Sequence, residues 1–223
     1  MKPKTFEEAV EFYRSKTVLS AAQFDALVAE IGDYAYSLAF NVRGIAQADV
    51  LMDLYAEVVK AIESGQSFGE FREAVDGIME KRGWTGLSPY RLDNIFRTNV
   101  QTAYSVGRYK QMTAIAERRP YWQYDAVNDS RTRPSHLAQD GKVYRHDHPY
   151  WNTWYPPNGY RCRCRVVSLS RDEMQDEGLT EEIRGTDLRP DEGFAFNPAT
   201  ESWRPDMSKY PEVLRRIVEE DLK

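Results

Sequence analysis

The sequence predicts an α+β protein: a mainly helical N-terminal body with a long central helix, followed by a small β-containing module and a helical tail. Through the first half of the 223-residue chain, apolar residues recur three and four positions apart, the spacing of amphipathic helices. After Pro120 they alternate with polar residues instead, as in half-buried strands. Hydrophobic residues make up 41% of the chain and aromatic residues 13%, which is enough for a packed core and excludes a wholly disordered protein.

Residues 1–87 form the predicted N-terminal helical region. Thr5 is a suitable N-cap for a first short helix, because two acidic residues follow it in the first turn. Three further helices are predicted from apolar stripes over residues 20–36, 46–62 and 68–79. We interpret these stripes as core.

Residues 88–170 form the predicted central module. Ser88 followed by Pro89 is a typical helix start, and we expect a long basic helix that runs to about Arg119 and ends at Pro120. Beyond this helix, period-two segments and turn residues predict three strands and one short helix. The strands cover Tyr121–Val127, Lys142–Arg145 and Cys162–Leu169, and the helix covers residues 131–140.

An aromatic loop, residues 150–160, separates the last two predicted strands. Residues 144–160 contain six Tyr or Trp side chains. These rings can act as base-stacking platforms or as a patch that binds a partner. They can also pin an irregular loop onto the basic helix, because each ring buries a large area. We favour the second interpretation.

Residues 171–223 form the predicted acidic tail. A short helix is expected after Ser170, followed by a stretch with Pro and Gly at 189–205. A terminal helix is expected from about Pro211.

The charge is distributed in blocks. The net charge is −5, but residues 1–80 carry −7, residues 81–171 carry +10 and residues 172–223 carry −8. A basic middle between acidic flanks indicates either a surface that meets an anionic partner or a middle that pairs with the flanks of its own chain. The sequence leaves both interpretations open.

The chain has a mean hydropathy of −0.67 and lacks an apolar run of 18 residues, so no transmembrane helix is expected. Its first eight residues contain no apolar segment of the kind that a signal peptide needs. Two cysteines cannot form a disulfide framework. We therefore expect no membrane partner and synthesis in a reducing cytoplasm.

The three histidines and both cysteines all lie between His136 and Cys164. On a strand, Cys162 and Cys164 would share one face with Cα atoms roughly 6.5–7 Å apart, too far for an easy disulfide. Two thiolates with His136 and a loop histidine, His146 or His148, would suit a tetrahedral zinc ion, and we take His148 as the candidate. C-x-C is a weak zinc signal, however, and the cysteines can equally be small hydrophobic residues of a strand.

The residues between and beside the cysteines form a basic set. Arg161, Arg163 and Arg165 would face outward if the cysteines face inward, and Arg131 and Arg133 lie upstream. Such a surface can bind the phosphate backbone of DNA or an acidic protein partner.

No sequence motif indicates an enzyme. The chain lacks H-E-x-x-H, G-x-S-x-G, Walker A and G-x-G-x-x-G patterns. We therefore expect a protein without catalytic activity. The alternative is a metal-dependent nuclease or hydrolase that uses the histidines, aspartates and cysteines of residues 136–164.

Several motifs occur together in a fixed order. They are FEEA and YRSK in residues 6–16, IFRTNVQTAY and GRYKQM in residues 95–112, DSRTRPSH at 129–136 with DG at 140–141, YPPNGYRCRCR at 155–165, and GFAFNP at 193–198. With this set the chain resembles the phage Mu F-like head morphogenesis proteins over nearly its whole length.

The resemblance implies a minor head protein of a tailed phage or prophage that acts in procapsid assembly at the portal vertex. Its expected partners are the portal protein and other head proteins, with packaged DNA as a further contact. Its expected location is the virion, after assembly in the host cytoplasm. The resemblance assigns no catalytic residues to this chain.

Overall fold

The computed structural model describes residues 6–45, 47–84 and 87–200. The helices of the first half are α1 (Glu7–Arg14), α2 (Ala21–Ile31), α3 (Ala35–Leu38), α4 (Ala48–Ser64), α5 (Phe68–Lys81) and α6 (Pro89–Ala114), with a 3-10 turn at Gly32–Tyr34. Two short strands, β1 (Thr17–Val18) and β2 (Ala39–Phe40), pair in parallel. None of the described helices combines the length and the apolar character needed to cross a membrane.

The second half forms a small sheet with short helices. Its elements are β3 (Tyr121–Asp125), α7 (Pro134–Leu137), β4 (Val143–Arg145), α8 (Trp151–Trp154), β5 (Arg165–Leu169) and α9 (Arg171–Asp176). The strand order is β4-β3-β5, with both pairs antiparallel. Because β3 is central, its inward side chains Trp122 and Tyr124 are fully buried. The predicted α+β class, with a helical body ahead of a β-containing module, is confirmed.

Serine residues begin four of the helices. Ser20, Ser67, Ser88 and Ser170 each accept a hydrogen bond from the backbone N–H of the third residue of the helix that follows. In α2, α5 and α9 the side chain of that third residue also accepts from the serine's own N–H, which completes a capping box. These are contacts between residues three apart, so the local sequence is enough to place these four helix starts. The prediction of one helix over residues 20–36 is wrong in its extent, because α2 ends at Ile31 and the 3-10 turn, with Gly32 at a positive φ of 64°, separates it from α3. The N-cap of α1 is Phe6, whose side chain makes no capping hydrogen bond, and the predicted cap Thr5 lies outside the described residues.

The core of the helical body lies between α1, α4, α5 and α6. Its fully buried side chains include Tyr13, Leu51, Leu54 and Phe71. These residues belong to the apolar stripes of the sequence, and the apolar faces of the helices meet because that arrangement removes them from water.

Helix α6 contributes to two cores. Leu92 and Ala103 lie in the core of the helical body. Met112, about two and a half turns further on, is buried in the aromatic core of the β-containing module, and Tyr109 packs against the same core. The division into residues 1–87, 88–170 and 171–223 stays a prediction, and α6 is the element that joins the first two parts.

Helix α6 ends at Ala114, which makes the prediction of a helix to about Arg119 wrong. Residues 115–118 form turns instead. The guanidinium of Arg119 donates to the backbone oxygen of Ser168 and pairs with Glu173. The chain leaves the helix here because Tyr121 must begin β3 opposite Leu169, at the end of β5.

The predicted strand Cys162–Leu169 is too long, because β5 begins at Arg165. Asp125 is the last residue of β3 and pairs with Arg165, so the preceding cysteine segment has no partner in the sheet. For the same reason β3 ends before Val127.

The predicted helix over 131–140 is confined to Pro134–Leu137. Turn contacts limit it on both sides: the Thr132 N–H donates to the Asp129 oxygen, and the Asp140 carboxylate accepts from the N–H of Ala126. The terminal helix expected from Pro211 lies outside the described residues.

Helices α1 and α6 approach each other at Gly107. A Cβ atom at this position would lie 2.7 Å from Phe6 Cζ and 3.1 Å from the backbone nitrogen of Ala9. By contrast, a Cβ at Gly77 in α5 would meet nothing within 4 Å.

The substitution Gly107→Ala should therefore lower stability by about 1 kcal/mol or more, because the added methyl group forces α1 away from α6. Gly77→Ala is the matched control and should raise stability by about 0.5–1 kcal/mol through helix propensity alone. Thermal or urea unfolding of both variants measures the difference. Equal stabilisation by the two substitutions would contradict the close packing at Gly107.

Candidate metal centre

Three side chains that can bind a metal ion meet inside the module. His136 comes from α7, and Cys162 and Cys164 come from the loop before β5. The His136 Nδ1 atom lies 3.8 Å from Cys162 Sγ and 3.7 Å from Cys164 Sγ. The three ligand atoms all lie within 4.8 Å of one another, and both cysteines are free thiols. The structure thus brings together three of the four residues predicted as zinc ligands.

The cysteine loop is positioned by α6. The side chain of Gln101 donates to the backbone oxygen of Cys164 at 2.9 Å, and Arg108 Nε donates to the backbone oxygen of Val166 at 2.8 Å. Arg161, at the start of the loop, has a positive φ of 58°, which is uncommon for a residue other than glycine. Its guanidinium pairs with Asp93, near the start of α6.

Burial alternates along the cysteine loop as the C-R-C-R pattern predicts, although this segment is not a strand. Cys162 and Cys164 are buried, whereas Arg161 and Arg165 are exposed and Arg163 is half-buried. The cysteines are 4% and 3% exposed, and His136 is 1% exposed. These side chains are therefore almost completely shielded from solvent.

Aromatic rings surround the three side chains. The Trp154 ring lies edge-on to the His136 ring, with centroids 6.0 Å apart. The Tyr124 hydroxyl donates to the side-chain oxygen of Asn158, at 2.9 Å, and Asn158 is fully buried. These contacts place the three side chains inside the aromatic core.

The two thiols have different proton affinities. A hydrogen bond from Cys162, supported by His136, lowers the pKa of Cys164 to about 5. The same contact to Cys164 and burial raise the pKa of Cys162 well above its ordinary value. Cys164 is therefore the thiol that ionises first. The ionised thiolate is the form that binds a metal ion.

The second ring nitrogen of His136 faces a carboxylate. His136 Nε2 is buried and has no hydrogen-bond partner among the described residues, and the nearest carboxylate oxygen, Asp191 Oδ1, lies 3.9 Å away. Asp191 itself pairs with Arg133 at 2.7 Å. A Cβ atom at Gly159 would lie 2.3 Å from Asp191 Oδ2, so only glycine leaves room for this carboxylate.

His148, the fourth predicted ligand, does not join the group. Its Nδ1 accepts from the backbone N–H of Tyr150, and its Nε2 lies 3.3 Å from the backbone oxygen of Ile183. The rings of Tyr144, Tyr150 and Trp154 form a chain of contacts between His148 and His136. Sequence proximity suggested His148, but the turn after β4 directs it to the far side of the aromatic core.

Each of the five predicted binding arginines has a carboxylate partner within the chain. Arg163 donates two hydrogen bonds to Asp129, at 2.7 and 2.6 Å. The other pairs are Arg131 with Asp129, Arg133 with Asp191, Arg161 with Asp93 and Arg165 with Asp125. The sequence did not identify these aspartates as partners of the arginines. Asp129 lies within the DSRTRPSH motif and was visible, whereas Asp191 is remote in sequence from Arg133.

The aromatic loop packs onto α6, as favoured from the sequence. The Tyr155 hydroxyl donates to the Ser105 oxygen of α6 at 3.2 Å, and its ring contacts Tyr109 edge-on at 5.0 Å. Trp151 and Trp154 are 2% exposed. Tyr160 is an exception, because it is half exposed and contacts Phe194 of the tail.

The histidines and aspartates of residues 136–164 do not converge on a nuclease-like site within the described chain. The Asp140 carboxylate caps the backbone of Ala126, and Asp147 pairs with Arg145. The His146 ring packs against Trp122. Among the described residues, the group that can hold a metal contains His136 and the two cysteines and no carboxylate.

The ion pair between Arg163 and Asp129 should make the stability of the fold depend on pH. Arg163 holds the pKa of the Asp129 carboxyl well below its usual range. The carboxylate therefore stabilises the fold above its ordinary pKa of about 4, and this contribution is lost as the pH falls below that value.

Asp129→Asn should be less stable than the wild type at pH 7, and the difference should shrink as the pH falls below about 4. Asp125→Asn is the control, because its partner Arg165 is 68% exposed whereas Arg163 is 30% exposed, so a smaller loss is expected. Melting temperatures across the pH range test this. A loss for Asp129→Asn that does not change with pH would contradict the role of the pair.

Comparisons with known proteins agree with the sequence motifs. The family described as phage Mu protein F like protein matches residues 53–167, from within α4 to within β5. The chain is 32% identical to a protein of Escherichia phage Mu named capsid assembly protein F, over 96% of this chain and 57% of that protein. It is 42% identical to the Mu-like prophage FluMu F protein of Haemophilus influenzae, over 65% of this chain and 38% of that protein.

The chain thus spans little more than half the length of the first of these relatives and less of the second. No solved structure matches it. The matched region contains His136, Cys162 and Cys164 together with most of α4, all of α5 and α6, and most of the sheet. Because this region covers more than half of the 223 residues, the chain belongs to the phage Mu protein F-like family.

Proposed function

We propose that this chain acts in phage head morphogenesis as a structural component of the assembling head. The observation that carries the proposal is the family match over residues 53–167, together with a relative named capsid assembly protein F. Burial of His136 and the cysteines favours a structural role for the site over catalysis, because reactants need access to catalytic groups.

The portal protein and other head proteins are the proposed partners, and the portal vertex is the proposed place of action. The chain would be made in the host cytoplasm and become part of the virion head. This part of the proposal rests on the ordered motifs that the chain shares with its family.

Inactivating the gene in the phage or prophage that encodes this chain should abolish DNA-filled heads, and supplying the intact gene in trans should restore them. Quantitative mass spectrometry of the restored heads should find the chain in few copies relative to the capsid protein. Normal yields of filled heads from the inactivated phage would refute a role in head assembly.

A nuclease assay with the purified chain distinguishes a role in assembly from catalysis. Purified chain incubated with DNA and zinc, magnesium or manganese should leave the DNA intact. Metal-dependent cleavage that is lost in His136→Asn would favour the nuclease alternative instead.

A contact with packaged DNA is a second candidate function, supported by the exposure of two arginines. The side chains of Arg131 and Arg165 are 78% and 68% exposed, in contrast to 30% for Arg163. Exposed ion pairs contribute little stability, so phosphate groups can replace Asp129 and Asp125 as partners at small cost.

The double variant Arg131→Gln with Arg165→Gln should bind duplex DNA more weakly than the wild type, and its binding should depend less on salt. The slope of log affinity against log salt should fall by about 2, one unit for each phosphate contact. Fluorescence anisotropy at several salt concentrations measures this.

The control is Arg14→Gln with Arg72→Gln, which removes the same charge from exposed, ion-paired arginines of the helical body. It should leave the slope unchanged. An equal loss in both double variants would indicate that net charge, and not this surface, determines binding.

A further inference from the structure

We propose that His136, Cys162 and Cys164 bind a zinc ion that fastens α7 to the loop before β5. The site would supply stability to the module, independently of which head protein the chain meets. Three features support this ion: the distances between the donor atoms, their chemistry and the surroundings of the histidine ring.

The distances suit one tetrahedral ion. Zinc binds sulfur at about 2.3 Å and imidazole nitrogen at about 2.0–2.1 Å, so neighbouring S and N ligands lie about 3.6 Å apart and two sulfurs about 3.8 Å apart. His136 Nδ1 lies 3.8 and 3.7 Å from the two Sγ atoms, and no ligand atom of the group is more than 4.8 Å from another. Small rotations of the side chains would complete the geometry.

The donor set selects the type of metal. Two thiolates and one imidazole are soft and intermediate donors, which favour Zn²⁺ over Mg²⁺ or Ca²⁺. The charges of two thiolates balance those of the ion, so the occupied site is neutral within the aromatic core. The group has three members in the described part of the chain, which leaves the fourth position of a tetrahedral ion to another ligand.

The surroundings of His136 supply independent support. If Nδ1 binds the metal, the neutral ring carries its proton on Nε2, and metal-bound histidines usually donate that proton to a carboxylate or carbonyl. His136 Nε2 is buried, has no hydrogen-bond partner among the described residues and faces Asp191 Oδ1 at 3.9 Å. A purely apolar core gives no reason for a buried carboxylate-facing imidazole, whereas a metal site does.

The local fold also benefits from such a link. The two ligating segments are 26 residues apart, and between them lie a three-residue strand, a four-residue helix and loops. Small irregular modules commonly depend on a metal or a disulfide because their regular structure is short.

The test uses the full chain purified from zinc-supplemented cells without chelators. Elemental analysis should find one zinc per chain in the wild type and none in the double variant Cys162→Ser with Cys164→Ser. His148→Asn is the matched control within the same module and should retain the zinc. Asp191→Asn should keep the fold and weaken zinc binding by about 10–100-fold, as loss of an outer carboxylate typically does.

A second measurement covers the case in which the cysteine variant does not fold. Wild-type chain stripped with a strong chelator should melt at a lower temperature, recover with zinc, and develop thiolate charge-transfer and tetrahedral bands with Co²⁺ under anaerobic conditions. Folded wild-type chain that neither contains zinc nor shows these bands in excess Co²⁺ would overturn the proposal and leave the cysteines as core residues.

Discussion

The contact of α6 with two hydrophobic cores is the constraint on which the rest of the structure depends. Its first half buries Leu92 and Ala103 among the N-terminal helices, and its second half buries Met112 among the aromatic rings of the module. A helix of 26 residues is about 39 Å long, so one rigid element spans both cores. Polar side chains of the same helix, Gln101 and Arg108, hydrogen-bond the backbone on either side of the cysteine loop and so hold the candidate metal centre against the helical body.

The module itself has little regular structure, and side-chain contacts compensate for that. Tryptophan and tyrosine rings fill the space between the sheet and α6, where they bury a large apolar area per residue. Around this core, arginine–aspartate pairs fasten segments that the sheet does not reach, as Arg163 does with Asp129 and Arg133 with Asp191. The proposed zinc ion would add a link between α7 and the cysteine loop within this aromatic core.

The basic middle of the sequence is partly neutralised within the molecule. Pairs such as Lys110 with Glu11, Arg119 with Glu173 and Arg133 with Asp191 join the basic middle to the acidic flanks. This is the self-complementary arrangement that the charge pattern had left open beside an anionic partner. This pairing leaves part of the basic surface accessible to solvent. Arg131 and Arg165 are exposed, and the aspartates that pair with them are also partly exposed. The structure thus shows the self-complementary pairing, and an anionic partner stays a proposal for Arg131 and Arg165.

The sequence by itself determined the presence of the main helices, the helix start at Ser88, the inward direction of the cysteines and the family, because these depend on residues a few positions apart or on motifs in fixed order. Tertiary structure decided where β5 begins, since a strand ends where its neighbour ends, and Asp125 is the last residue of β3. It also decided that His136 joins the cysteines while His148 does not, and that Asp191 faces the histidine ring. Those contacts join residues far apart in the chain, and local spacing carries no information about which of several distant side chains the fold brings together.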